Sequence, residues 1–349
     1  MYQQLHDLRQ TVASGDQLAA RLDADLAYLT AMLGERPELN DYVKATQGCD
    51  ARGWDSDYVS ERGDIARDRL ERLGVGWSKD TDNDLRQLER PLTPEDAADA
   101  IRLAAVELEP LVRKVTNTSA PYHLKVEIAD VDAYWAYWLD GAGSEVRLRL
   151  NLRNAKFTEV RARQFALHEV LGHGLQSASL AARCQEEDVP WVRLLSVHAP
   201  YQVMLEGLAQ AMPLFVVPED AALEARVRLD HYVQLVRSEL HLAINNGATV
   251  RDCVEHAHAR VPYWNDEEIG NELSDRGADP LLRSYLWSYP AGIDWFVALA
   301  EADSTAIRKV LHAAYREPLT PAGLTGLWPA GPAIGGSGEP VRLWQSQVP

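Results

Sequence analysis

The chain has 349 residues, 46% hydrophobic and 25% charged, the ordinary range of a globular protein. Its 52 acidic residues against 35 basic ones leave a formal charge of -17. Such a surface repels phosphate backbones and anionic lipid, so neither a nucleic acid nor a membrane is an expected partner. Three widely spaced cysteines, Cys49, Cys184 and Cys253, argue against a disulfide framework. The stretch MYQQLHDLRQ has no basic flank and no apolar segment, so no signal peptide is expected there and the protein reads as cytoplasmic. No run of about 18 apolar residues suggests a membrane span.

From the N-terminus, Leu18, Leu22, Leu26, Leu29 and Leu33 recur at spacings of three and four, one apolar stripe on a helix. Residues 48–90 are rich in Gly, Asp and Arg, with Trp54 and Trp77 as anchors. Thr93-Pro94-Glu95-Asp96 predicts a helix start: Thr93 caps, Pro94 suits the first helical position and Asp96 occupies the capping-box site. That helix runs through Ile101, Val106, Leu108 and Val112 to about residue 116. Residues 123–152 alternate. HLKVEI, the aromatic AYWAYWLDG and EVRLRLNL predict a small antiparallel sheet, with Val146, Leu148, Leu150 and Leu152 on one face. Beyond it, helices are expected over 159–183, 201–215, 219–245, 250–260, 265–275, 280–301 and 304–315, with Pro290 breaking the sixth. The stretch from Pro329, containing GPAIGGSGEP, reads as a flexible tail.

The chemistry concentrates in HEVLGH, residues 168–173, inside an apolar helical run. Two imidazoles on one helix face supply metal ligands, and a Glu beside the first can take a proton from an activated water. The usual spacing places the second His four residues on, about one helical turn. Here it is five on, which in a regular α-helix sets the two rings roughly 140° apart. A π-type widening between Val170 and His173 would restore the shared face, and Gly172 makes such a distortion cheap. Two His and a Glu are seldom placed unpaired in so apolar a helix without a purpose.

A third ligand is required. Glu206, in YQVMLEGLAQAMPLF, is the leading candidate, though an exposed Glu or an interhelical ion pair is the plain alternative. His198 and His241 are rival ligands. Cys253, His256 and His258 sit in a polar segment with Glu255 and Arg260 and read as a solvated face rather than a second metal site.

HExxxH followed by a Glu on a second helix resembles the gluzincin metallopeptidases whose motif helix carries an extra residue. Dipeptidyl peptidase III has a similar HExxGH, and LEGLA at 205–209 is close to the QEGLA of the tyrosine carboxypeptidases and their bacterial relatives. Over about residues 125–325 the chain looks most like the bacterial "domain of unknown function 885" family of zinc peptidases, which pairs an HExxPGHHLQ helix with an EGWA helix. Here the corresponding stretches are HEVLGHGLQ (168–176), LEGLAQ (205–210), LHLAINNGAT (240–249), RSYLWSYPAGIDWF (283–296) and EPLTPAGL (317–324). The aromatic strand pair ending in Asn151 also fits. The family's Pro before Gly-His is missing, Gly174 replaces the second His of its His-His pair, its late Gly-Gln-Ala is Ala291-Gly292-Ile293, and Phe296 stands where a Tyr is expected.

The resemblance implies one Zn2+ bound by His168, His173 and Glu206, with Glu169 as general base and acid. A second donor must hold the oxyanion, and Tyr285, Tyr289, Arg283 and His241 are the candidates. The strand at 145–152 is a candidate edge for pairing with an extended substrate. The expected activity is hydrolysis of a peptide or small-molecule amide. The alternatives are zinc chemistry on a non-peptide metabolite in a biosynthetic pathway and an inactive, metal-stabilised binding protein. The net charge weakly favours a cationic substrate. The expected architecture is mainly α with a small antiparallel β-sheet, gluzincin-like helical lobes flanking a central cleft. It divides into an N-terminal helical region (1–120), a metallohydrolase core (121–328) and the tail (329–349), built as one continuous unit.

Overall fold

The computed structural model describes residues 1–13, 17–133, 135–186, 197–336 and 338–343. The protein is mainly helical with one three-stranded sheet. Five helices precede the first strongly signalled one: α1 (Tyr2–Thr11), α2 (Gln17–Met32), α3 (Leu39–Gln47), α4 (Ser56–Arg72) and α5 (Thr81–Leu88). The leucine stripe of α2 is only partly used. Leu22 is buried, but Leu18 and Leu33 are exposed. Trp54 is buried and stacks on Trp287, and Trp77 packs edge-on to Tyr232 and Tyr263, so both tryptophans anchor the 48–90 region.

Helix α6 (Pro94–Thr116) begins as its sequence predicts, with Thr93 accepting from the Asp96 N–H and Pro94 in the first turn. Ile101, Leu108 and Val112 are fully buried in the main core, whereas Val106 points to solvent.

The sheet holds β1 (His123–Ala129), β2 (Tyr137–Ala142) and β3 (Glu145–Asn151), ordered β1-β3-β2. β2 and β3 form the expected antiparallel hairpin, with Tyr137 opposite Leu150. β1 pairs with β3 in parallel, His123 opposite Glu145, so the sheet is mixed rather than antiparallel. Alternation encodes which face is buried but not strand direction, and the connection over 130–136 lets the chain cross to the far side of β3. Asn151 pins that connection, its side-chain amide donating to the Val131 and Trp135 carbonyls. β3 is therefore the central strand with both edges paired. It cannot pair with an added strand, and the edge strands of this sheet are β1 and β2.

The motif run is one composite helix: α7 (Glu159–Phe165), a π segment (Ala166–Leu175) and α8 (Gln176–Glu186). The remaining helices are α9 (Gln202–Val216), α10 (Ala221–Asn245), α11 (Val250–Arg260), α12 (Asp266–Gly277), α13 (Leu282–Tyr285), α14 (Ser288–Ala300), α15 (Ser304–Ala314) and α16 (Pro321–Leu327). The break expected at Pro290 falls earlier, between α13 and α14. Pro290 lies in the first turn of α14, where a missing N–H costs nothing.

Helices α9 and α14 cross at Gly207 and Gly292. A Cβ on either glycine would collide with the other helix's backbone, so the contact exists only because both are glycine. The region from residue 329 is tied down at its start. The Gly335 carbonyl accepts from the backbone N–H groups of Arg52 and Gly53, and Gly335 and Gly336 are buried at positive φ. Residues 344–349 of the expected flexible tail lie outside the described residues.

Candidate metal centre

The predicted widening is present and longer than a single bulge: the π segment spans Ala166 to Leu175. Bonds of the i→i+5 type return the fifth residue to the face of the first, and the His168 and His173 rings stand 5.0 Å apart, nearly perpendicular. Gly172 faces α9, where a Cβ would lie 2.7 Å from the Leu167 carbonyl oxygen and 3.0 Å from Ala209 Cβ. Gly174 leaves room for Val146 of β3 in the same way. The wide turn is thus wedged between helix and sheet by two residues without side chains.

His168, Glu169 and His173 bring ligand atoms within 4.8 Å of one another. Glu206, carried on α9, places Oε2 3.7 Å from Nε2 of both His168 and His173. Two carboxylates thus compete for the role of third ligand, and their partners separate them. Glu169 Oε1 accepts the Tyr137 hydroxyl at 2.8 Å and lies 3.6 Å from His168 Nε2. Glu206 Oε2 is buried, has no hydrogen-bond partner and is equidistant from both imidazoles. Tetrahedral ligands about 2.1 Å from an ion stand about 3.4 Å from each other, so the His168–His173–Glu206 triangle suits a divalent cation and Glu169 stands beside it.

Electrostatics reinforce the grouping. Burial by itself would raise the Glu206 carboxyl, but His173 and His168 outweigh it and hold it well below the usual carboxylate range. Burial likewise opposes protonation of His173, and the Glu206 carboxylate overrides it, raising the imidazole to about 9.

Tyr285 and Tyr289 are at the site, one step behind the triangle. Tyr285 donates to Glu206 Oε1 at 2.6 Å and its hydroxyl lies 2.8 Å from that of Tyr289. Burial, with the Glu206 charge added, pushes both phenols well above their ordinary value, so both stay protonated donors. His241 and Arg283 are elsewhere. His241 is fully buried, bonded through Nε2 to the Arg283 carbonyl at 3.0 Å and packed on Trp287. Arg283 donates Nε to Asn245 at 2.6 Å. Both sit where α10 packs against α13 and α14, and His241 Nδ1 is buried there without a hydrogen-bond partner. His198 is spent, with Nε2 2.8 Å from Asp25 and its ring stacked on Tyr28. Phe296 lies in the main core.

The solvated-face reading of α11 needs revision. Cys253 is fully buried, His256 bonds Glu239 at 2.7 Å, and only His258 is exposed, beside Asp266. These side chains diverge and form no ligand set.

An open pocket of about 780 Å³ lies beside the triangle, walled by His168, Glu169, Tyr137, Tyr289 and Gln210. One face of α10 forms much of the remaining wall, with Arg226, Asp230, Gln234 and Arg237. Sequence reasoning passed over Tyr137 and this face. The spacing of these polar residues by four, four and three, one side of the helix, was the available signal. Tyr137 had none, since its role depends on where β2 lands.

No protein-family model matches the chain and no curated protein matches it, so the likeness to the 885 family rests on the motifs quoted above. Among solved structures it is similar to "the putative lipoprotein from Colwellia psychrerythraea", with a TM-score of 0.56 and 14% identity. The match covers 86% of this chain and 55% of that one, so this chain spans about half the length of its neighbour. At that identity the likeness speaks for the fold alone. Among the described residues, no helix is long and apolar enough to cross a membrane.

Proposed function

We propose that this protein is a zinc-dependent hydrolase of amide or peptide bonds, with His168, His173 and Glu206 as ligands and Glu169 as general base. The observation that carries it is the buried, partnerless Glu206 Oε2 set 3.7 Å from both imidazoles. A buried carboxylate oxygen left without a hydrogen bond is costly unless something else occupies its lone pairs. A divalent ion there supplies a Lewis acid that polarises a carbonyl and makes water nucleophilic near neutral pH.

The chain's own groups supply the rest. Glu169 takes the proton from the attacking water and delivers it to the leaving amine. Tyr137 holds Glu169 through its hydroxyl and lies close enough to the pocket to donate to a substrate oxygen instead. Tyr285 fixes the Glu206 carboxylate through Oε1, backed by Tyr289, the usual outer-shell support of a metal ligand. β2, at the sheet edge next to Tyr137, offers free backbone groups to an extended substrate. A cytoplasmic setting is part of this proposal, supported by the buried, unbridged Cys49 and Cys253, and fractionation of the native host with an antibody tests it.

The deciding experiment combines metal analysis with a panel of chromogenic amides and short peptides. The wild-type protein should carry about one equivalent of zinc and turn over part of the panel. Glu169→Gln should keep the metal and lose about 10²–10⁴-fold in rate. Less than half an equivalent of metal after gentle purification, or full activity in Glu169→Gln, would overturn the reading.

A further inference from the structure

We infer that Arg237, with Gln234, forms a carboxylate-binding subsite in the pocket beside His168 and Glu169, so that the substrate is an amide carrying an acidic group. The substrate class rests on the hydrolase reading; the subsite itself does not.

The charges along the pocket wall are not equally satisfied. Arg226 is fully engaged, both its Nε and Nη2 donating to the buried Glu89. Asp230 accepts from Gln164 at 2.6 Å and lies 4.0 Å from Arg161. Glu268 is committed to the cap of its own helix, accepting from the Asn265 N–H. Asp82 is exposed, in the first turn of α5.

The imbalance falls at Arg237. Its Nη2 lies 2.8 Å from Glu272 Oε1, while the other oxygen of the same carboxylate pairs with the buried Arg276. Two guanidiniums thus share Glu272, while Asp230 and Glu268 add negative charge near Arg237. Burial pushes Arg237 below its ordinary value and, with the Arg237 charge added, Arg276 well below it. Arg237 Nε is buried with no acceptor, and one turn earlier on the same face Gln234 Oε1 is also buried without a partner. A Gln amide turned over presents N–H donors in that position. The Trp264 ring lies 5.6 Å from the Arg237 guanidinium and steadies its plane. A carboxylate in the pocket would give the orphaned Arg237 donor an acceptor, in the geometry that guanidinium favours. The overall charge of -17 points to cationic ligands, so the Arg237 donor has to work against that field.

The test is calorimetric binding of three probes to the purified full-length protein. Hippurate carries only a terminal carboxylate, N-acetylglutamic acid 1-amide only a side-chain carboxylate, and hippuramide neither. At least one acid should bind ten-fold or more tightly than hippuramide, and which one does so tells a terminal from a side-chain carboxylate. Arg237→Gln should remove that preference and Arg237→Lys should restore part of it. Glu272→Gln, which frees positive charge, should tighten binding, a gain that a misfolded variant cannot mimic. Equal binding of acids and hippuramide, or a preference unchanged in Arg237→Gln and Glu272→Gln, would overturn the subsite. Repeating the titration in Glu169→Gln separates the two readings: a preserved acid preference with no amide turned over by wild type would retain the subsite and remove the hydrolase.

Discussion

Two helices of this protein set histidines against a glutamate on a neighbouring helix, and they do opposite things with it. In α11, His256 bonds Glu239 at 2.7 Å and Arg260 takes the other oxygen at 2.9 Å, so the carboxylate is saturated. In the π segment, His168 and His173 both stand 3.7 Å from one oxygen of Glu206 and leave it unbonded. The first is a closed interhelical bridge and the second an open triangle. A histidine near an acid is therefore a weak sign of a metal. Two imidazoles converging on a partnerless carboxylate oxygen are a much stronger one, because the arrangement is costly until something fills it.

The largest expected effect breaks the comparison directly. Glu206→Gln or His173→Gln should abolish stoichiometric zinc in the purified protein, while His256→Gln should leave the zinc content unchanged and only lower stability. Metal analysis with thermal melts checks both, and loss of zinc in His256→Gln would mean the two clusters had been misread.

Next in size is the packing that delivers Glu206. Gly207→Ala forces α9 and α14 apart and should cost about 1–3 kcal/mol, an overpacking penalty, with a further loss of zinc affinity. Denaturant melts and a zinc titration read the two effects separately. A neutral Gly207→Ala would show that the crossing can relax.

Tyr285→Phe should weaken zinc binding about 10–100-fold, the range for an outer-shell partner, and chelator competition measures it. A smaller effect concerns pH. His173 in the metal-free protein is raised to about 9 by Glu206, and a raised imidazole adds stability below its unfolded value, about 6.5. That contribution should fade as pH climbs from there through about 9 in the metal-free protein. It should be absent from the zinc-loaded protein, where the same imidazole is unprotonated. Melts across pH 6–10 with and without zinc should therefore diverge.

The legible parts of the molecule were those with short-range causes. The cap at Thr93, the boundaries of α11 and the widened turn around Gly172 all followed from residues within a few positions of each other. Glu206 stood out because a carboxylate beside Gly207 is odd in an apolar helix. Assignments that needed a distant partner did worse. His241 and Arg283 looked like catalytic donors, yet one packs on Trp287 and the other bonds Asn245, and neither lines the pocket. β3 looked like an edge until β1 was found paired along its other side.

The sequence by itself determined α2, α6, most helices from α7 onward and the need for a π turn, since each depends on periodicity, capping residues and backbone freedom at a few glycines. Only the tertiary structure decided that Glu206 keeps one oxygen open, that Tyr137 reaches Glu169 and that the Arg237 Nε lacks an acceptor. Those outcomes depend on which side chains from remote segments arrive first at each polar group, and a linear pattern carries no record of that competition.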